Sequence, residues 1–593
     1  MSSIRTHPAF RLSAHLGAFQ PRVDKVLHDM MNDCIVTRLW EHDHTLWKPE
    51  DTDISNRLGW LHSAQAMRGE RERLSRFVES VRDAGYTQAL LLGTGGSSLA
   101  PAVFAQTYGT DHSPLQLAVL DSTDSGVVSA YTHLFEPAHT LFLVSSKSGT
   151  TVETLSLFKH FYNHVAAALP EQEAGQHFVA ITDPESPLAH LAERYHFRDV
   201  FLADATIGGR YSALSHFGLV PAALVGVNLS RLLDQAEHMM QSCTATSAPD
   251  INPGAHLGGI LAELTKGGRD KVTLVTSYSL SAFGDWVEQL LAESTGKAGK
   301  GMVPILREPL GLPELYGNDR IFVHIVLSGD DEEQNEVLLD AMAKAGHPVV
   351  HLHLDDPYAL GGQFFLWEMA TAVAGYQLGI NPFDQPDVEA AKQLAQNTID
   401  DYSKTGALPN ETPTATYDGL RLYGPVAAHS LAEALHAFLG QAQPGDYVTF
   451  QAYVSPPIEE PHAGHVTPEL TDFMRETTEI HSTLLSMCAR IRDRYHLAAT
   501  FGYGPRYLHS TGQLHKGDAG RGLFIQFTAD ASADVPIPAV AGELSPSLSF
   551  ETLKAAQAFG DRQALTQAGR CLIRFHLGAN VVEALHRLNQ TLV

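Results

Sequence analysis

Five short apolar runs recur along the chain, QALLL (88–92), LQLAVL (115–120), HTLFLV (139–144), HFVAIT (177–182) and DVFLA (199–203). Amphipathic stretches such as VETLSLFKHFYNHVAAAL (152–169) lie between several of them. Apolar runs of this length read as buried strands, and strands alternating with helices require a parallel sheet covered on both faces. The pattern restarts after a break at TATSAPDINPG (244–254), with VTLVTSYS (272–279), IFVHIVLSG (321–329) and HPVVHLHL (347–354) as strands and EQNEVLLDAMAKAG (333–346) as a helix. Two long helical patterns follow, over 363–379 and 386–404. Past a second break, KTGALPNETPT (404–414), a third set holds DYVTFQAYV (446–454), LAATFGYG (497–504), GLFIQFTA (522–529) and CLIRFHL (571–577). The expected class is α/β, with a helical lead over residues 1–60 and α/β units over 61–245, 246–405 and 406–593.

Bulk properties narrow the partners. A chain of 593 residues is too long for one core, and its 44% hydrophobic residues suffice for several. Lys+Arg 41 against Asp+Glu 67 gives a net charge of −26, which repels nucleic acid and anionic membrane. An anionic substrate must therefore be drawn in by local positive groups. Cys34, Cys243, Cys488 and Cys571 are widely spaced, as expected of reduced thiols rather than a disulfide framework. No run suits a signal peptide or a membrane span, so a cytoplasmic protein is expected.

Two loops stand between a strand and a helix. GTGGSS (93–98) can bring backbone N–H groups close to a ligand, or serve only as a tight turn; it lacks both the G-x-G-x-x-G spacing and the GK[ST] ending of nucleotide loops. SSKSGTTVET (145–154) is richer. A helix cap uses one hydroxyl with a Glu three residues on, which leaves the other donors of Ser146, Ser148, Thr150 and Thr151 unexplained; together with Lys147 and a helix N-terminus they suit a phosphate. In TIGGRYSALS (206–215), Arg210 follows two glycines, either as a surface residue in a turn or as a cation for developing oxyanion charge.

The ordered set GTGGSS, SSKSGTTVET and TIGGRYS resembles the phosphoglucose isomerase family, whose sugar-isomerase (SIS) fold has three-layer parallel-sheet domains. INPFDQPDVEAAK (380–392) looks like that family's second signature, and ESTGKAGKG (293–301) is similar to its short bacterial form. DHTLWKP and NRLGWL resemble the isomerase half of bacterial proteins fused behind a transaldolase. The resemblance implies two SIS domains plus a C-terminal α/β unit, and interconversion of glucose 6-phosphate and fructose 6-phosphate without a cofactor. It further implies that Gly96 and Ser97 contact the sugar phosphate, that Ser146, Ser148 and Thr151 hold its phosphate with Lys147 alongside, and that Gln385 and Lys392 complete the pocket. Arg210 would stabilise an enediolate and Glu293 would move the proton between C2 and C1. A homodimer with a site near its interface is also implied.

The chemistry asks for such a set in any case. Aldose–ketose exchange through an enediol needs one base between adjacent carbons, a cation for the negative oxygen and a group that opens the ring. Glu293 follows an apolar helix end and precedes glycines that help exclude water. Two departures from the family pattern stand out. Asp387 replaces a small residue and puts a carboxylate near Lys392, and the segment after GKGMVP has no His where the short bacterial enzymes carry theirs. LHSTGQLHKG (508–517) has the expected form some two hundred residues later, so His509 is the expected ring-opening acid/base, with His515, Glu308 and His324 as rivals. His351 and His353 on one strand, and His462 and His465 in a loop, can ligate metal but lack an ordered second pair, and no metal site is expected. Two alternatives stay open, a related sugar-phosphate isomerase that also takes mannose 6-phosphate and a non-catalytic sugar-phosphate sensor. A hexosamine synthase is not expected, since its glutaminase would begin with Cys after the initiator Met and this chain has Ser2.

Overall fold

A computed structural model describes residues 3–7, 10–109, 113–244, 251–458, 466–531 and 533–593. The five apolar runs of the first unit form one all-parallel sheet in the order Gln116–Leu120, Gln88–Gly93, Thr140–Ser145, Phe178–Thr182, Asp199–Leu202. Its three central strands are wholly buried, which is why they read as unbroken apolar runs. Alternate residues serve opposite faces. Leu91, Leu141, Leu143 and Val179 pack with Leu99 and Val103 on one side, whereas Leu90, Phe142, Val144 and Ala180 pack with Leu157, Phe158 and Phe161 on the other.

The order of the strands matters for the site. The first strand in sequence lies between the second and the third, so the connections diverge at the carboxyl ends of Gln88–Gly93 and Thr140–Ser145. Open parallel sheets bind ligands at such a point of divergence. GTGGSS and SSKSGTTVET are the two loops that leave from it.

The second unit repeats this order with Val349–Leu354, Arg320–Leu327, Lys271–Thr276 and Val303–Leu306 in parallel. The short strand Val303–Leu306 is absent from the sequence reading, because four residues between loops give no periodicity to detect. Residues 1–60 are not a purely helical lead. Ser3–His7 and Phe10–His15 form an antiparallel hairpin whose second strand pairs with Val349–Leu354, ahead of the helices Gln20–Asn32 and Ile35–Trp40. The alternation is visible in Leu12 and Ala14, buried while their neighbours Arg11 and Ser13 are not, and the hairpin covers an otherwise open sheet edge.

The third unit places Cys571–His576, Gly522–Thr528, Tyr447–Tyr453 and Ala498–Tyr503 in the same parallel order, flanked by the antiparallel pair Ala415–Tyr417 and Leu420–Tyr423. It is docked on both other units. Its helix Phe550–Gln567 lies against Val388–Thr405, and the hairpin Pro536–Pro538/Pro546–Ser549 lies against the first unit's helix Val152–Ala168. No helix among the described residues is long and apolar enough to cross a membrane.

The helix Leu360–Leu378 is buried along almost its whole length between Pro253–Lys266 and Leu229–Ser242. Close approach there depends on Gly361, where a Cβ would lie 2.1 Å from the carbonyl oxygen of Leu232. Backbone cannot yield as a side chain tip would, so Gly361→Ala is expected to cost about 1–3 kcal/mol. A lowered thermal unfolding temperature checks this, and an unchanged one contradicts it.

Candidate functional site

The carboxyl-end crevice of the first sheet opens into a cavity of about 820 Å³ walled by all three units. Gly96, Ser97, Lys147, Ser148, Thr151, Arg210, Glu293, Gln385, Lys392 and His509 all line it. Ser146 does not reach the wall. It is buried beneath, with its Oγ 3.0 Å from Thr151 Oγ1, so its hydroxyl orients a lining residue.

The helix Val152–Ala168 begins without a side-chain cap at Thr151. Ser148 and Thr150 are exposed to the cavity, their hydroxyls 2.9 Å apart, beside the helix N-terminus that the Thr151 side chain leaves uncapped. That is the arrangement an anion seeks. The capping-box alternative fails because the carboxylate it needs is engaged elsewhere. Glu153 Oε1 lies 2.8 Å from His509 Nε2 and accepts from Gln557 Nε2 at 2.7 Å. Burial opposes charge on Glu153, and the His509 imidazole, with hydrogen bonds from the residue's own backbone N–H and from Gln557, together outweigh it, holding the carboxyl below its ordinary range. Lys147 is tied to Asp183, so its charge is already partnered in the first unit.

The glycines of GTGGSS serve contact between backbones. A Cβ on Gly95 would meet His509 O at 2.9 Å, and one on Gly96 would meet Gly209 O at 2.1 Å. The loop thus holds the Arg210 and His509 segments against each other. Arg210 is buried and fully engaged, donating to Ser294 Oγ (2.8 Å), Gln385 Oε1 (3.1 Å) and the carbonyls of Pro382 (2.7 Å) and Asp384 (2.8 Å). A guanidinium fixed on that many sides has little to reorganise when charge develops beside it. Its Nη1 is 3.7 Å from Glu293 Oε2.

Glu293 sits in the last turn of Ser281–Thr295, buried to 7% exposure. One turn earlier on the same face, Gln289 Nε2 donates to Glu293 Oε2 (3.1 Å) and to the carbonyl of His509 (2.8 Å), so one amide bridges the carboxylate and the histidine loop. Of the histidine-loop rivals, none reaches the cavity wall. His515 is buried against Phe524 and Tyr507, Glu308 is paired with Arg320 at 3.0 Å, and His324 lies in the second sheet with its Nδ1 3.4 Å from His351 Nδ1.

The expected effect of Asp387 on Lys392 is not what the structure shows. Half-exposed Lys392 pairs with Glu389 at 3.6 Å, whereas Asp387 accepts from Gln513 Nε2 at 2.5 Å and donates its backbone N–H to Gln513 Oε1 at 2.9 Å. Gln513 also donates to Gly296 O (3.0 Å), so Asp387 anchors the LHSTGQLHKG segment. His353 bonds Ser328 and not a second imidazole, and no described group of three or more His, Cys, Asp or Glu is arranged to hold a metal; His462 and His465 lie outside the described residues.

Glu153, Gln289 and Lys297 are the residues that the sequence reading missed. Glu153 was hidden in a capping pattern, Gln289 was signalled only by its i, i+4 spacing to Glu293, and Lys297 by its place in E-S-x-G-K. Lys297 is buried and donates to Asp384 O (2.6 Å) and Oδ1 (2.7 Å).

Residues 63–303 match the family described as phosphoglucose isomerase. The glucose-6-phosphate isomerase of Thermosynechococcus vestitus is 31% identical over 359 residues, covering 52% of this chain and 65% of that protein. That of Campylobacter jejuni is 27% identical over 368 residues, covering 54% of this chain and 88% of that protein. Among solved structures, a hypothetical protein of Thermus thermophilus has TM-score 0.56 at 25% identity, over 67% of this chain and 99% of its own. A Chlamydia trachomatis glucose-6-phosphate isomerase has TM-score 0.58 at 19% identity, over 68% and 90%, a likeness of fold. The matched family segment holds Gly96 to Glu293; Gln385, Lys392 and His509 lie beyond it.

Burial, with Arg210 adding to it, lowers the Lys297 ammonium from 10.5 to about 8, against the opposing pull of Asp384. Between these values the unfolded chain holds the proton more tightly than the folded one, so this group makes stability rise with pH in that window. The unfolding temperature of the protein minus that of Lys297→Met is therefore expected to increase as pH passes upward through about 8. A falling difference contradicts the assignment.

Proposed function

We propose that this chain is a glucose-6-phosphate isomerase, interconverting glucose 6-phosphate and fructose 6-phosphate through a cis-enediolate. The observation that carries the reading is that a buried carboxylate, a fixed guanidinium and an imidazole–carboxylate pair line the same cavity as a hydroxyl-rich, uncapped helix mouth.

In this reading the phosphate takes the helix mouth, bonded by Ser148 and Thr151, with Gly96 and Ser97 along the sugar. His509 works from its Nδ1 side, since Nε2 is committed to Glu153. As an imidazolium steadied by Glu153 it gives its proton to the ring oxygen as the hemiacetal C–O bond breaks, and the proton lost by the anomeric hydroxyl restores it. Glu293 then takes the proton from C2 of the aldose and returns it to C1. The charge that develops on the oxygen is met by Arg210, 3.7 Å from the base. Gln385 accepts from the same Arg210 Nη1 that faces Glu293, and Lys392 reaches the sugar from the wall contributed by Val388–Thr405. We further read the chain as akin to the isomerase half of transaldolase fusions. DHTLWKP and NRLGWL support this as parts of the isomerase scaffold: Trp47 Nε1 donates to Ala372 O at 2.9 Å, and Trp60 packs 5.4 Å from Tyr211, beside Arg210.

Glu293→Gln is expected to lower turnover by about 10²–10⁴-fold and to abolish exchange of the C2 proton with solvent, with fructose 6-phosphate still bound. Steady-state kinetics, deuterium exchange and calorimetry check the three parts. Unaltered turnover refutes the mechanism.

Every group in this scheme belongs to one chain. A homodimer, which the family resemblance implies, is not needed to complete the site. Specific activity is expected to stay constant on dilution into a range where sedimentation finds only single chains. Loss of activity in step with dissociation overturns this.

A further inference from the structure

His509 is the last residue of the short helix Arg506–His509, and the first residue of that helix is held by charge. Arg506 Nε lies 3.0 Å from Asp121 Oδ2 and its Nη2 3.9 Å from Asp285 Oδ2. Asp121 follows the edge strand Gln116–Leu120 of the first unit, while Asp285 stands in Ser281–Thr295, the helix that ends on Glu293. One guanidinium from the third unit is thus gripped by a carboxylate from each of the other two. Asp285 is fixed in turn by Arg307, at 2.8 and 2.5 Å.

These groups face a second cavity of about 310 Å³ that lies on the other side of Gly95 and Ser510 from the sugar-phosphate cavity. Glu288, His481 and Tyr503 also face it, and His481 Nδ1 is 3.2 Å from the Tyr503 hydroxyl. None of them touches the larger cavity, so the cluster acts on the reaction only through the loop it holds. Burial drives Asp121 upward and the Arg506 charge only partly offsets it, which leaves Asp121 dependent on its partner.

We propose that Arg506 is the positioning residue for His509, its two ion pairs setting the imidazole against Glu153 and the Gly95–Gly96 turn. The proposal rests on the isomerase reading and adds to it the means by which a histidine carried outside the matched family segment is kept in register with Glu293. The other restraints differ in kind: besides the pair of His509 with Glu153, Tyr507 donates to Asp561 at 2.7 Å, which ties the short helix only to its own third unit. Gln289, which also bonds Glu293, reaches the loop at the His509 backbone carbonyl and not at the ring, and the Gln513 bonds to Gly296 and Asp387 come after it.

Removing Arg506 alone strands a buried carboxylate, so the main test is the double variant Asp121→Asn/Arg506→Gln, which leaves no unpaired charge and keeps Asp285 with Arg307. Two substrates separate positioning from general damage. Fructose 6-phosphate must be opened before C1 can lose a proton, whereas 5-deoxyfructose 6-phosphate has no hydroxyl placed to close a ring. The double variant is expected to lose about 100-fold in kcat on fructose 6-phosphate, the scale on which a misplacement of about 1 Å acts, with KM changed by less than about threefold. Solvent deuterium should still enter C1 of 5-deoxyfructose 6-phosphate within about twofold of the wild-type rate, and Arg506→Lys should recover part of the fructose 6-phosphate turnover. Equal losses on both substrates, or no loss on either, overturn the proposal while leaving the isomerase assignment standing. A wild-type protein without activity on fructose 6-phosphate overturns both.

Discussion

A buried carboxylate cannot be left alone. Stranding one of a buried pair costs about 3–5 kcal/mol, and Glu153, at the first turn of the helix that forms the anion seat, finds its partner 356 residues further on in His509. This one contact explains why the third unit must close over the first. It orients the imidazole and turns the Glu153 carboxylate toward the third unit, while the hydroxyls of Ser148 and Thr150 stay exposed at the helix mouth. The glycine turn, the Gln289 bridge and the Asp387–Gln513 pair all act on the same loop, each from a different element.

The three units repeat one strand order, yet only the first supplies the crevice that holds the site. The second contributes a helix end, with Glu293 and Lys297, and the strap Pro382–Gln385 that fixes Arg210. The third contributes a loop that follows the edge strand Ala498–Tyr503. At this junction of three sheets Arg210 and Glu293 are buried by packing, and buried charges act on each other more strongly than they would in water.

Elements with a strong local signature were legible in the sequence. Fully buried parallel strands announce themselves as apolar runs, and a loop with more hydroxyls than a cap can use announces an anion. What was not legible depends on partners distant in sequence. The Ser3–His7 and Phe10–His15 hairpin is a strand pair only because Val349–Leu354 offers it an edge. Glu153 looked like a capping acid because the residue that claims it belongs to another unit. Lys147 lines the cavity as expected but its pairing with Asp183 was not legible, and Asp387 turns to Gln513 rather than to Lys392. A charge in a quoted motif says where a side chain starts, and the competing hydrogen bonds say where it ends.

The histidine loop carries one more implication, a genetic one. Where an enzyme trades groups across an interface, two copies damaged at different positions can mend each other, and one poor copy can spoil a good neighbour. On the proposed reading the acid, the base and the cation belong to a single polypeptide, so a lesion would stay with the copy that bears it.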